Sequence, residues 1–381
     1  MIAPDDKVVV VGGGLVAARI CPALRRKGLT GPIELIAAEQ HLPYDRPPLS
    51  KDVLTGARDS TGLPFDPEAL GVTVSTGRTA TGLDTASRTV HTDAGPVRYD
   101  GLVIATGATP VRLPGDGEQL TLRTIDDALA LRARLVPGSR VVIIGASWIG
   151  AEVATAARAA DCAVTCVETA PAPLAATFGT DIAGLLLPWW DGIDLRCTAT
   201  VSQITKAGVA LGDGSVLPAD VVVTGIGVRP AVSWLDGSGV RTDRGVLTDD
   251  RCRTDIPDVV ALGDVAQRWS PRAGAHLMIE HWDDAGGAAA TTAAALLSDD
   301  VPSFDPVPYF WSDQFGHKVQ YVGRHRPDDV ATVETADDGT LATARWTDAG
   351  GLLTAWLGVD RPRELVPARM NVGKPADHAL A

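Results

Sequence analysis

The sequence predicts an α/β protein with two parallel strand–helix–strand modules, followed by a smaller α+β domain built on an antiparallel sheet. Three observations carry this reading. Residues 7–14 read KVVVVGGG and residues 140–147 read RVVIIGAS, an internal repeat in which a β-branched run stops at glycine. Each copy continues into an alanine-rich helical stretch, 15–27 and 148–160, and then into a second short strand, 32–37 and 163–167. From about residue 306 polar and apolar residues alternate, as in HKVQYVG and TLATARWTD, with turn residues between them. That is the period of a sheet with one wet face. One glycine-rich turn alone is weak; two in the full strand–turn–helix–strand context point to two Rossmann-type dinucleotide-binding units.

The bulk numbers agree. A chain of 381 residues with 45% hydrophobic content is long enough for two or three domains. Its 40 glycines and 26 prolines are scattered along the chain, so collagen-like and linker readings fail. A net charge of -13 argues against nucleic acid and anionic membrane as partners. The cysteines, Cys21, Cys162, Cys166, Cys197 and Cys252, are odd in number and form no Cys-x-x-Cys pair. Neither a metal site nor a disulfide framework is expected, and a reducing compartment is. With no signal peptide and no membrane-length apolar run in view, the cytoplasm is the expected location.

Further apolar runs ending in glycine lie at 102–107 (LVIATG), 221–227 (VVVTGIG) and 259–266 (VVALGDVA). Together they suggest a discontinuous first domain, 1–113 with 238–305. A second domain then covers 114–237 and a C-terminal domain 306–381. The last looks short and closes in a polar tail at Ala381.

In the first turn Gly12 permits the bend and Gly14 leaves room for a pyrophosphate. A small residue at Ala17 lets helix and strand pack closely. The pyrophosphate then meets unpaired N–H groups at a helix N-terminus. Glu39, after the second strand, is the carboxylate available for the adenosine ribose. The second turn runs Gly145, Ala146, Ser147, Trp148, Ile149, Gly150, with serine in place of the middle glycine. Glu168 closes the following strand and suits a ribose 2′-hydroxyl, whereas it would repel a 2′-phosphate. No arginine occurs over 169–174, so NADH is preferred to NADPH. Trp148 either gates the nicotinamide pocket or only packs the helix. Two dinucleotide modules in one chain call for a hydride donor and an acceptor, which makes FAD the second cofactor. Ala105, Thr106 and Gly107, Gly227, and the Gly263–Asp264 turn are strand-end positions suited to cofactor contact. At the last, Asp264 would reach a ribityl hydroxyl.

At these residues the chain resembles the FAD- and NADH-dependent ferredoxin and rubredoxin reductases, of the putidaredoxin reductase type. They share a glutathione reductase-like fold and supply electrons to cytochromes P450 and to Rieske-type aromatic-ring dioxygenases. The motifs are PYDRPPLSK (43–51), ATGATPVRLPG (105–115), LRTIDDALALR (122–132) and VVIIGASWIGAEVA (141–154). GIGVRP (225–230), ALGDVA (261–266), EHW (280–282) and PVPYFWSDQFG (306–316) complete them. The resemblance implies that Arg46 and Lys51 lie against the FAD and that Lys51 pairs with Glu152 close to the nicotinamide. It implies that Glu280, His281 and Trp282 introduce a helix whose positive end faces the flavin. Trp311 would cover the flavin where a ferredoxin docks. Three departures stand out. Ala38 sits where the family usually has an acid, Met278 where it usually has a base near Glu280, and the C-terminal domain is short.

Rival functions differ in the residues they need. A disulfide reductase needs a cysteine by the flavin; Cys21 has no partner and residues 41–55 contain none. An NADH oxidase would pass the electrons to oxygen. A non-enzymatic flavoprotein would sit better with loss of Lys51 or Glu152, and both are present. Because ferredoxins are usually acidic, docking calls for a local basic patch; Arg324, His325 and Arg326, with Lys318 and Arg268, are the candidates.

Overall fold

In a computed structural model, which describes residues 1–376, the chain forms two compact units. The first holds Met1–Asp45, Thr61–Thr109 and Arg229–Pro306; the second holds Arg46–Ser60, Pro110–Val228 and the chain from Val307 onward. The polar tail from 377 lies outside the described residues.

The first unit is built on a five-stranded parallel sheet. Its order is Val259–Ala261, Gly101–Ile104, Val8–Val11, Ile33–Ile36, Val72–Ser75. Val8–Val11 lies at its centre and is buried throughout, which is why it reads as an unbroken β-branched run and not an alternating one. Helix Leu15–Arg26 follows and packs against helix Ala289–Leu297. Arg25 in its last turn donates to the carbonyls of Leu29, Gly31 and Leu70, tying the helix end to the neighbouring loops.

The second unit repeats the design with a four-stranded parallel sheet: Asp194–Arg196, Ala163–Val167, Arg140–Ile144, Val221–Thr224. Helix Trp148–Ala159 follows the central strand. Helix Ile125–Arg132, the middle of the LRTIDDALALR stretch, starts with a capping box. Asp127 N–H donates to the Thr124 hydroxyl at 3.1 Å, and Thr124 N–H to the Asp127 carboxylate at 3.0 Å. Residues 309–359 form a five-stranded antiparallel sheet. Its order is Tyr309–Gln314, His317–Gly323, Leu353–Val359, Leu341–Thr347, Val330–Thr335. The inner face, with Val319, Ala344, Trp346 and Leu357, shares one core with Phe178, Trp189 and the second-turn helix. On the other face Trp356 is buried under helix Leu365–Asn371. Among the described residues no helix is long and apolar enough to cross a membrane.

Candidate nucleotide and redox site

In the first unit the carboxyl ends of three parallel strands stand in register, Val11 beside Ile104 and Ile104 beside Ala261. The turns that follow them, Gly12–Gly14, Ala105–Gly107 and Leu262–Asp264, are therefore brought to one edge of the sheet. That edge is where open α/β sheets hold ligands. Gly12 has φ +122°, and a Cβ there would lie 2.0 Å from the Ala105 carbonyl oxygen. Gly14 opens the helix with no side-chain cap and no acid in the first turn. The start of the helix thus has no capping side chain and no acid of its own to offset its partial positive charge. A pyrophosphate fits this cradle. Ala17 is fully buried in the helix–sheet core. Thr106 is held by its hydroxyl on the Ala231 carbonyl at 2.8 Å. Gly263 takes φ +77°, and half-buried Asp264 follows it. The carboxylate of Glu39 accepts the Tyr44 hydroxyl. Glu280 is exposed and His281 precedes Trp282, the first residue of helix Trp282–Gly287. The indole N–H of Trp282 donates to Asp45 at 2.6 Å.

The second turn is tighter. A Cβ on Gly150 would meet the Gly145 carbonyl oxygen at 1.9 Å, and Gly145 itself has φ +97°. Ser147, in the place of the middle glycine, turns its hydroxyl inward. It donates to the Gly225 carbonyl at 2.7 Å and accepts from Gly150 N–H at 3.4 Å. The serine caps the helix with its hydroxyl on the protein side. Glu168 accepts Ala146 N–H at 2.7 Å, Ala170 N–H at 2.8 Å and the Thr169 hydroxyl at 3.1 Å. A carboxylate offers about four acceptor positions, so about one is left for a ligand hydroxyl. Trp148 packs between Phe178 and Phe310, with ring centroids 5.4 and 4.4 Å away. Ile149 and Gly227 are exposed beside the turn.

Lys51 follows the short 3-10 turn Pro47–Ser50. Its ammonium lies 2.8 Å from Glu152 Oε1, with the two side chains 19% and 4% exposed. A longer contact, 3.3 Å, reaches the Pro47 carbonyl. Glu152 also accepts the hydroxyls of Ser50 and Ser312 and the N–H of Asp313. The Lys51–Glu152 pair was legible in the sequence motifs; the two serines were not. They lie beside singled-out residues, but 102 and 160 positions from Glu152. Arg46 donates to the Arg123 carbonyl at 2.5 Å. Trp311 stacks on Tyr309, centroids 5.7 Å apart.

The proposed basic patch needs correction. Arg268 is 5% exposed and forms a two-pronged ion pair with Asp284 at 2.6 and 2.9 Å inside the first unit, so it is not a docking residue. The apolar run read as one stretch over 259–266 divides at Gly263. Ala266–Ser270 then joins a different sheet, which carries Arg268 inward. Lys318 is paired with Asp313 at 2.8 Å. Arg324 and Arg326 are exposed; His325 between them lies flat on Trp346.

A family model for pyridine nucleotide-disulphide oxidoreductases matches residues 6–289, and one for a reductase C-terminal domain matches 309–379. The chain belongs to the pyridine nucleotide-disulphide oxidoreductase family. Among its relatives is the ferredoxin–NAD(+) reductase component of the p-cumate 2,3-dioxygenase system of Pseudomonas putida. It is 32% identical, over 96% of this chain and 92% of that protein. The crystal structure of Fdr9 superposes with a TM-score of 0.95 at 53% identity, covering 98% of this chain and 97% of that one. The covalent putidaredoxin reductase–putidaredoxin complex gives 0.90 at 29% identity, covering 97% and 93%.

This member of the family has no disulfide among its described residues; all five cysteines are free. Burial pushes the Cys21 thiol up to about 12 and raises Cys166 and Cys252 as well. Such thiols stay protonated near neutral pH and are poor nucleophiles. The Glu152 carboxylate, on the helix that follows the second turn, forms an ion pair with the Lys51 ammonium.

Proposed function

We propose that the chain is an NADH:ferredoxin oxidoreductase with FAD as its cofactor, working in the cytoplasm. The observation that carries this reading is one helix. Trp148–Ala159 opens at the second nucleotide turn and, one turn further along, presents Glu152 paired to Lys51. NADH places its pyrophosphate on the Gly145–Gly150 turn and a ribose hydroxyl on Glu168. The first turn, with Gly12, Gly14 and Ala17, holds the FAD pyrophosphate, Glu39 its ribose and Asp264 its ribityl chain. When bound, FAD supplies a two-electron acceptor that can release electrons singly. NADH becomes NAD+ by giving up one hydride (a proton with two electrons), which bound FAD would accept and whose proton would pass to solvent once the electrons have left. The electrons leave one at a time to an iron–sulfur protein that docks at Trp311 and serves a P450 or a Rieske dioxygenase. Lys51 keeps an N–H beyond those directed at Glu152 and Pro47, and this one addresses the reacting ligand. Residues 1–113 with 238–305 serve the flavin, 114–237 the nicotinamide nucleotide, and 306–381 the partner.

The test is ferredoxin-dependent reduction of cytochrome c by the purified protein, with NADH and NADPH compared at equal concentration. The expected result is a rate that needs added ferredoxin and is much slower with NADPH. Fast oxygen consumption that no ferredoxin accelerates would replace this reading with that of an NADH oxidase.

A further inference from the structure

Strand Tyr309–Gln314 runs along helix Trp148–Ala159, and the contacts follow both periods. On the helix, Trp148, Glu152 and Thr155 lie one above another on one face. On the strand, alternate residues Phe310, Ser312 and Gln314 share one face. Phe310 meets Trp148, Ser312 meets Glu152, and Phe315 N–H just beyond the strand donates to the Thr155 hydroxyl at 2.9 Å.

At the middle of this seam the Glu152 carboxylate is held by four donors. Oε1 receives Lys51 at 2.8 Å, the Ser312 hydroxyl at 2.5 Å and Asp313 N–H at 3.2 Å, and Oε2 receives the Ser50 hydroxyl. Three donors thus converge on Oε1 and one reaches Oε2, against roughly two acceptor positions on each oxygen. The direction of each bond is set as well. Gln314 Nε2 donates to the Ser312 oxygen at 3.1 Å, which leaves the serine's own proton for Glu152. Ser312 is fully buried and Gln314 is 2% exposed, so water offers neither a substitute partner.

We propose that Ser312, oriented by Gln314, is a positioning residue for hydride transfer: it locks Glu152 in the rotamer that holds the Lys51 ammonium at the reaction site. The inference rests on the role given above to the Lys51–Glu152 pair. Lys51 is a flexible, partly exposed side chain whose fixed partner is Glu152. Without Ser312 the carboxylate loses one of its anchors on Oε1, and the ammonium gains freedom to swing out. Misplacement of such a group by about 1 Å costs up to about 10²-fold in rate. The reaction itself is unchanged. One hydride leaves NADH, which becomes NAD+, and bound FAD would take up its two electrons and proton together.

The experiment compares Ser312→Ala, Ser312→Thr and Gln314→Leu in the flavin-loaded protein by two readouts. The first is acylation of Lys51 mapped by mass spectrometry without nucleotide, with exposed Lys374 as internal control. The second is stopped-flow flavin reduction over a range of NADH concentrations. The expected result for Ser312→Ala is labelling of Lys51 increased severalfold at constant Lys374 labelling. Its limiting reduction rate should fall about tenfold, with half-saturating NADH within about twofold of wild type. Ser312→Thr retains the hydroxyl and should restore both; Gln314→Leu frees the hydroxyl to turn and should share the defect in milder form. Lys51 labelling and limiting rate both at wild-type values in Ser312→Ala would overturn the proposal. Should that variant not fold, unchanged values in Gln314→Leu would do so. Lys51→Met separates the two layers. If it is reduced at the wild-type rate, the role given to Lys51 fails, while the labelling pattern still decides whether Ser312 holds it.

Discussion

Glu168 is committed before any nucleotide arrives. Two backbone N–H groups and the Thr169 hydroxyl fix its carboxylate beside the second turn. A ribose hydroxyl therefore meets a preoriented acceptor, and a 2′-phosphate meets a charge that cannot swing aside. Glu168→Gln keeps the size but places an amide where three donors converge. It should raise the KM for NADH about tenfold, the cost of a lost charged hydrogen bond of about 1.5 kcal/mol. It should change the KM for NADPH much less, so the ratio of the two kcat/KM values narrows. Equal losses for both nucleotides would mean that Glu168 shapes the turn and does not read the ribose. Ser147 shows the limit of reading such residues from sequence. Its place in the motif identified a turn, but the inward hydroxyl depends on the Gly225 carbonyl, which lies just past a strand far along the chain.

At the level of elements, the sequence was a good guide wherever the signal is local. Strand Ala163–Val167 and helices Leu15–Arg26 and Trp148–Ala159 begin and end within a residue or so of the stretches expected from periodicity and glycine. The convergence of Ser50, Lys51, Glu152 and Ser312 was only partly legible, because three separate segments meet there and no local pattern encodes the meeting. The C-terminal sheet carries a second such feature. Tyr321 OH lies 2.7 Å from His325 Nδ1 and accepts His325 backbone N–H at 3.2 Å. Burial pushes the phenol up to about 12, so its proton stays and is donated to Nδ1. The imidazole is thus neutral with its proton on Nε2, stacked 4.4 Å from the Trp346 ring. Desolvation holds its pKa below the ordinary 6.5; Arg324 also lowers it and Asp329 opposes. The unfolded chain takes up the proton first, so this contribution is complete above pH 6.5 and is lost as pH falls through that value toward the folded pKa. Denaturation midpoints of wild type and His325→Gln, followed from neutral pH to about pH 5.5, should converge as the pH drops. Parallel curves would assign the acid sensitivity to other groups.

For the whole molecule the governing term in partner encounter is electrostatic. The chain carries -13, and the proposed partner is acidic, so at long range the two repel. At contact, exposed Arg324 and Arg326 on the C-terminal sheet domain attract. Salt separates these terms, because screening removes the long-range one first: the Debye length falls from about 30 Å at 0.01 M to about 10 Å at 0.1 M and about 3 Å at 1 M. The ferredoxin-limited kcat/KM should therefore rise with the first additions of salt, as net repulsion is screened. It should fall again above roughly 0.2 M, as the local arginine contacts are screened in turn. Arg324→Glu with Arg326→Glu should abolish the falling limb and raise the ferredoxin KM severalfold. Flavin reduction by NADH should change much less than the ferredoxin-dependent step, since both arginine side chains are exposed and neither belongs to the nucleotide turns. A wild-type rate that only falls with salt would show that the net charge is not felt by the partner. A rate that only rises, and is indifferent to the two reversals, would move the docking contacts away from this strand end.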